Sequence, residues 1–317
     1  MDFIWLAAGL AALFVGGDLL VRGSVSIAHA LHIPPFVIGL TLVGFGTSAP
    51  ELAASLQAAL AGAPGLAIGN VVGSNIGNIL LNLGLTALIS PIAVDRTALT
   101  RDGSVLVLAS LLCLGLILAE TVGRAAGLGM ALTLAVYVAL TVMLSRRVNP
   151  TALEVYEAEA ALLPPPRPSL VVPALTALAG LAVIILGARF LVDGAIGLAR
   201  LLGLSESVIG LTVVAIGTST PELVTSLMAV RKGQAAVAFG NVLGSNIFNI
   251  LGILGVTAAV SPLAVPADIA GFDIWVMLAA TAALVLFSVT GWRVGRREGA
   301  VLVASYGLYL GVLLANA

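Results

Sequence analysis

Charged side chains are scarce in this sequence of 317 residues, of which Asp, Glu, Lys and Arg make up only 9% and apolar residues 60%. Soluble domains carry about 25% charged residues, so the chain has too little polar surface to fold in water. The mean hydropathy of +1.16 leads to the same conclusion. The sequence therefore predicts an integral membrane protein whose main surroundings are the lipid bilayer.

Other absences narrow the range of functions. The single cysteine, Cys113, excludes a disulfide framework and a cysteine-based metal site. A net charge of −1 with no basic patch gives no reason to expect nucleic acid as a partner. The sequence contains neither a nucleotide-binding loop nor a nucleophile–base pair. We therefore expect a protein that is not an enzyme, is not driven by ATP and needs no cofactor.

Ten stretches are long and apolar enough to cross a bilayer, for which a helix needs about 20 residues. Glycine and proline interrupt the second, third, seventh and eighth of them, so we expect broken helices there. The sequence thus predicts an all-α membrane protein with ten transmembrane helices. The stretches lie at 2–31, 35–61, 66–90, 102–120, 124–145, 170–202, 206–230, 235–261, 269–290 and 299–316.

Two motifs occur twice in the chain. IGLTLVGFGTSAPE at 38–51 matches IGLTVVAIGTSTPE at 209–222 in ten of fourteen positions. GNVVGSNIGNILLNLG at 69–84 matches GNVLGSNIFNILGILG at 240–255 in twelve of sixteen, and the offset between the copies is the same for both motifs. A constant offset is typical of an internal repeat. We predict a first five-helix repeat at residues 1–145, a cytoplasmic linker at 146–169 and a second repeat at 170–317.

An odd number of helices in each repeat predicts opposite orientations of the two repeats in the membrane. If the N-terminus lies outside, ten Arg and Lys residues fall on inner loops and two on outer loops. This excess agrees with the positive-inside rule. We therefore expect both termini outside and a location in the plasma membrane. We also expect a functional monomer, because one chain contains both repeats.

Glu51 and Glu222 occupy equivalent positions inside apolar stretches. An acid at the membrane centre costs at least about 2.5 kcal/mol, so a bound cation is expected to compensate these two. Sodium and calcium prefer oxygen ligands, and the adjacent motif positions supply hydroxyl groups. These are Thr47, Ser48, Thr218 and Ser219.

The GSNIxN motifs add further oxygen-bearing side chains. Ser74 and Asn78 are four residues apart and share one helix face, as do Ser245 and Asn249. Two neighbouring asparagines, Asn75 and Asn246, could also be ligands, but we expect them to hydrogen-bond the broken helices together. Helix packing through small and amide residues is an alternative role for the whole motif.

Two further pairs of charges lie within predicted helices. Asp18 and Arg22 are spaced i,i+4, and so are Arg189 and Asp193 in the opposite order. Such spacing places opposite charges on one helix face. We expect structural or gating ion pairs at these positions.

At GTSAPE, GTSTPE and the two GSNIxN segments, the sequence resembles the calcium:cation antiporter superfamily, specifically its sodium/calcium exchangers. The resemblance covers nearly the whole chain and implies midplane sites that open alternately to the two sides of the membrane as the first helix of each repeat slides. It implies that Glu51 and Glu222 bind calcium and that Asn78 and Asn249 complete the central site. It further implies sodium ligands from side chains and two backbone carbonyls, namely Thr47, Ser48, Ser74, Thr218, Ser219, Ser245, Gly44 and Ala215.

The function expected from this resemblance is secondary active antiport of sodium against calcium. Exchange of calcium for protons is an alternative, because the two glutamates within the apolar stretches could carry protons instead. Transport of another divalent ion is a second alternative, and a channel or a non-transporting membrane scaffold is a third. The paired hydroxyl groups next to each glutamate favour sodium over protons.

Overall fold

The structure is a computed structural model that describes residues 2–31, 33–145, 170–201, 217 and 219–316. Within these residues, eight helices are long and apolar enough to cross a membrane, or nine if a pair broken at Ser48 counts as one span. Only part of the predicted seventh span, 206–230, is described. The helices are α1 Asp2–Leu31, α2 Pro35–Thr47, α3 Ala49–Leu60, α4 Pro64–Ile89, α5 Arg96–Leu118, α6 Arg124–Ser145, α7 Val171–Leu201, α8 Thr220–Arg231, α9 Ala235–Val260, α10 Ile269–Val289 and α11 Arg296–Asn316.

The irregularity predicted for the third and eighth spans takes a different form from a break. α4 and α9 are continuous, and each contains a π-helical segment, at Asn78–Leu83 and Phe248–Leu254. Pro64 lies in the first turn of α4, where the missing N–H has no partner to lose. Most glycines of these two helices are buried, and packing around them outweighs their low helix propensity.

One compact unit comprises Met1–Thr47 and Ala139–Asn241. In it α1 and α7, the first helices of the two repeats, pack antiparallel along small residues. A Cβ added at Gly16 would lie 2.7 Å from the backbone nitrogen of Ile184, and one added at Gly180 would lie 2.3 Å from that of Leu20. Close approach of backbones through small residues is the usual way in which membrane helices associate.

The second compact unit comprises Ser48–Val138 and Val242–Ala317. Two short antiparallel ribbons join connections from the two repeats within it. β1 (Ile92–Ala93) pairs with β4 (Arg293–Val294), and β2 (Thr121–Val122) pairs with β3 (Leu263–Ala264). The inverted topology puts the two connections of each ribbon on the same side of the membrane, so the pairing supports that topology.

Repeat-related helices also pack crosswise in this second unit. A Cβ added at Gly127 of α6 would meet the carbonyl oxygen of Gly255 of α9 at 2.5 Å. One added at Gly299 of α11 would meet the carbonyl oxygen of Gly84 of α4 at 2.7 Å. The last helix of each repeat therefore lies directly against the third helix of the other. Each compact unit is built from both repeats, and the predicted repeat and linker boundaries remain a prediction.

Candidate ion-binding residues

Glu51 is a buried carboxylate in the first turn of α3, directly after the helix break at Ser48. It is 1% exposed, and Pro50 precedes it in the same turn. Asn70 of α4 donates from Nδ2 to the backbone carbonyl of Glu51 at 3.1 Å and to Oγ of Ser55 at 2.8 Å. The first turn of a helix stabilises a negative charge through the helix dipole. The fold therefore fixes the helix turn that carries this carboxylate, and the helix dipole supplies part of the stabilisation of its charge.

Glu222 repeats this arrangement in the other compact unit. It lies in the first turn of α8, follows Pro221 and is 2% exposed. Asn241 donates from Nδ2 to the backbone carbonyl of Glu222 at 3.1 Å and to Oγ of Ser226 at 2.9 Å. The two predicted glutamates thus have the same local environment, one in each unit.

We call the two hydrogen bonds of Asn70, and the equivalent two of Asn241, the asparagine clamps of Glu51 and Glu222. These clamps were not predicted. Asn70 and Asn241 each bond a residue 19 positions earlier in the chain, which is a contact between two helices. Their bonding partners did leave a signal in the sequence, because Ser55 and Ser226 lie four residues after the two glutamates. A polar residue one turn after a buried acid shares its helix face.

Thr47 of the first GTS motif lies beside the backbone carbonyl of Gly44, another predicted sodium ligand. Thr47 Oγ1 donates to the carbonyl oxygen of Val43 at 3.0 Å and lies 3.3 Å from that of Gly44. The same hydroxyl lies 3.4 Å from Oδ1 of Asn241. This links the first-repeat motif to the clamp on the second-repeat glutamate. Ser219 is buried, while Thr218 and Ala215 lie outside the described residues.

Three helices of the second compact unit bring predicted side chains of both motifs together. α3, which carries Glu51, packs against α4 and against the π-helical segment of α9, and these two also contact each other. All the predicted residues on α4 and α9 are buried: Ser74, Asn78, Ser245 and Asn249. Both amide atoms of Asn249 are buried, and neither has a hydrogen-bond partner in the described part of the chain.

Both candidate asparagine ligands lie in π-helical turns. Asn78 begins the segment Asn78–Leu83, and Asn249 is the second residue of Phe248–Leu254. Single π-turns inside α-helices occur frequently at functional sites. This local backbone form was not predicted from the sequence.

The expectation that Asn75 and Asn246 hydrogen-bond neighbouring helices together was wrong. Each donates from Nδ2 to the carbonyl four residues earlier in its own helix, Val71 at 2.8 Å and Val242 at 2.7 Å. Both Oδ1 atoms are buried without a partner in the described residues. A short polar side chain in a helix can bond its own preceding turn, and these two do so.

The predicted ion pair in α1 is present and has a second cationic partner. Asp18 Oδ2 lies 2.7 Å from Nε of Arg22, and Asp18 also pairs with Lys232, which follows α8. The i,i+4 spacing predicts only the first of these contacts. In the described part of α7, no ion pair joins Arg189 and Asp193.

Carboxylates are few around the candidate residues. Among the described residues, no group of three or more His, Cys, Asp or Glu side chains could hold a metal ion. Any ion bound by the candidate residues would therefore depend on hydroxyl, amide and carbonyl oxygens as well as on the glutamates. Such neutral oxygen ligands suit hard cations, and the set lacks the nitrogen and sulfur ligands that zinc and copper prefer.

Comparisons with known proteins give one consistent result. The sodium/calcium exchanger protein family matches residues 1–143 and 172–315 of the chain. CaxA of Alkalimonas amylolytica is 40% identical over 99% of this chain and 98% of its own length. The sodium/calcium exchanger MaX1 of Methanosarcina acetivorans is 35% identical over 99% of this chain and 98% of its own length.

A solved structure of the sodium-calcium exchanger NCX_Mj matches with a TM-score of 0.84 at 33% identity, covering 98% of this chain and 97% of that chain. NCX_Mj has ten helices in two inverted repeats, which confirms the fold class predicted from the sequence. The family and the structural neighbours are transporters, which confirms the expectation of a protein that is not an enzyme. This multi-pass membrane protein belongs to the sodium/calcium exchanger family.

Proposed function

We propose that this cation/calcium exchanger couples calcium movement to an opposing sodium gradient. Transport would proceed by alternating access at a midplane site, with calcium and sodium competing for overlapping ligands. Coupling to sodium is also what the names of the sodium/calcium exchangers MaX1 and NCX_Mj describe for those proteins.

The observation that carries this proposal is the pair of buried glutamates at repeat-equivalent positions. Glu51 and Glu222 are 1% and 2% exposed, and each has its backbone carbonyl bonded by an equivalent asparagine. Burial of two carboxylates at membrane depth is costly unless positive charge compensates them. Two negative charges neutralise one calcium ion, whereas several sodium ions would leave net positive charge. Exchange of several sodium ions for one calcium ion would therefore move charge across the membrane.

The neutral ligands in this proposal are the remaining predicted residues. Calcium takes six to eight oxygen ligands, which two carboxylates alone do not supply. Asn78 and Asn249 would complete the calcium site. The two amide atoms of Asn249, which have no hydrogen-bond partner among the described residues, support that role. The sodium ligands would be Thr47, Ser48, Ser74, Thr218, Ser219 and Ser245, with the carbonyls of Gly44 and Ala215.

The wider setting is also part of the proposal. The excess of basic residues on the predicted inner loops supports a chain with both termini outside. We place it in the plasma membrane. We expect the monomer to be active, because one chain contains both repeats.

The direct test is calcium uptake into proteoliposomes loaded with sodium, compared with vesicles that carry only a pH gradient. Uptake driven by outward sodium, and lost when potassium or choline replaces it, is the expected result. Dependence of that uptake on membrane potential would show that charge moves. Uptake driven by the pH gradient alone would identify proton/calcium exchange instead. Absence of calcium movement under both gradients would contradict calcium as the transported ion.

A further inference from the structure

Asn82 is a buried amide that the second repeat lacks. It is fully buried in the π-helical segment of α4, and Ile253 occupies the equivalent position of the second repeat. Nδ2 of Asn82 donates a hydrogen bond to Oδ1 of Asn78 at 2.8 Å. The difference matters because it falls one helical turn from a candidate ion ligand.

The hydrogen bond makes the two candidate asparagine ligands unequal. Asn78 has its amide oxygen held by Asn82, whereas Asn249 has no partner for either amide atom in the described residues. An amide oxygen has two lone pairs, so Oδ1 of Asn78 can accept this bond and still coordinate a cation. An asparagine without such a bond can also turn its NH₂ group towards the ion, which repels it.

We propose that Asn82 is a positioning residue that orients the amide of Asn78 for ion binding. This proposal rests on the proposed function, in which Asn78 is a ligand. Orientation before binding reduces the side-chain freedom that is lost when the ion arrives. The first repeat therefore presents a preset amide ligand to the cation, and the second repeat presents an adjustable one.

Replacement of Asn82 by isoleucine tests the idea with the residue that the second repeat itself carries. We expect Asn82→Ile to weaken calcium binding about five-fold, equivalent to about 1 kcal/mol at about 1.4 kcal/mol per ten-fold change. The loss should appear in the calcium concentration for half-maximal uptake, with the maximal rate largely retained. A role confined to packing would instead lower the yield of folded protein or its thermal stability.

A pair of double-mutant cycles separates these roles, because interacting residues give non-additive effects. Asn82→Ile is combined with Asn78→Ser in one cycle and with Asn249→Ser in the other. Serine keeps an oxygen at each position, so calcium binding stays measurable by titration calorimetry of the purified full-length protein. We expect Asn82→Ile to have no further effect on the Asn78→Ser variant. The same substitution should keep its full five-fold effect beside Asn249→Ser.

Each outcome has a defined meaning. An equal loss of affinity in both cycles, or an unchanged affinity in Asn82→Ile, would overturn the positioning role and leave the proposed function intact. A wild-type protein that binds no calcium would overturn the proposed function and the role of Asn82 with it.

Discussion

Asn70 and Asn241, at equivalent positions of the two repeats, make the same two hydrogen bonds in two separate compact units. Each bonds the backbone carbonyl of a glutamate, Glu51 or Glu222, and the hydroxyl of a serine one turn later. The distances are 3.1 and 2.8 Å in one unit and 3.1 and 2.9 Å in the other. Two copies of one arrangement indicate that the helix turn carrying each glutamate depends on the clamp.

Asn70→Leu removes both hydrogen bonds while nearly keeping the volume of the side chain. A buried carbonyl and a buried hydroxyl then lose their donor, and an unsatisfied buried group costs about 1–3 kcal/mol. We expect a lower midpoint of thermal unfolding in detergent, and a smaller rise of that midpoint when calcium is added. Gln57→Leu, on an exposed position of the same helix as Glu51, is the matched control. Equal effects of the two substitutions would contradict a clamping role.

Under the proposed function, in which both glutamates bind calcium, Glu51→Gln and Glu222→Gln would each remove half of the negative charge available to the ion. Attraction between two unit charges at 4 Å is worth about 4 kcal/mol at an effective dielectric constant near 20. We therefore expect sodium-driven calcium uptake to fall by at least about 100-fold in either variant, since about 2.7 kcal/mol is enough for that change. The measurement is the initial rate of calcium uptake into proteoliposomes.

Glu120→Gln is the control for this pair of variants, because Glu120 is an exposed residue of a connection rather than of a helix. It should leave uptake unchanged. Normal uptake by Glu51→Gln or Glu222→Gln would exclude that glutamate as an ion ligand.

The buried acids and most of the helices could be predicted from the sequence. Predicted stretches such as 124–145 and 269–290 agree with α6 and α10 to within one residue, because long apolar runs in lipid have few alternatives to a helix. Glu51 and Glu222 could be identified because a charged residue is rare inside an apolar run.

The contacts between helices could not be predicted in the same way. Lys232 of the second repeat pairs with Asp18 of the first, and Asn70 reaches back from α4 to Glu51 of α3. Spacing along one helix contains no information on such partners. The π-helical turn at Asn78 also depends on how the helix packs, and nothing in residue composition distinguishes it from an α-turn.

Asn249→Asp would add a third carboxylate to the proposed calcium site, beside Glu51 and Glu222. Both amide atoms of Asn249 are buried and have no hydrogen-bond partner in the described residues. Oxygen ligation is preserved, so calcium binding should survive. The extra negative charge must be compensated during the sodium or empty step, by another cation or by a proton. We expect altered sodium coupling and a new dependence of uptake on pH.

The measurement for this variant is calcium uptake at a series of pH values and sodium concentrations. Gln57→Glu adds an acid at an exposed position and serves as the control. Sodium and pH profiles identical to those of the wild type would contradict a role for Asn249 in coupling.

Gly180→Ala tests the close packing of α7 on α1. The added Cβ would lie 2.3 Å from the backbone nitrogen of Leu20, so the two backbones must separate. Overpacking of this kind costs about 1–3 kcal/mol, and we expect a lower unfolding midpoint and a slower maximal rate of exchange. Gly115→Ala is the matched control, because no heavy atom lies within 4 Å of the Cβ added there.

The unfolding midpoint and the maximal exchange rate of Gly180→Ala separate an effect on stability from an effect on helix movement. If the first helices of the two repeats slide during alternating access, as the family resemblance implies, a wider gap between them changes the transport rate even at temperatures far below unfolding. Binding affinity for calcium should change little, because Gly180 is not among the proposed ligands. A variant with lowered stability but a normal rate would mean that the tight contact of α1 and α7 serves the fold alone.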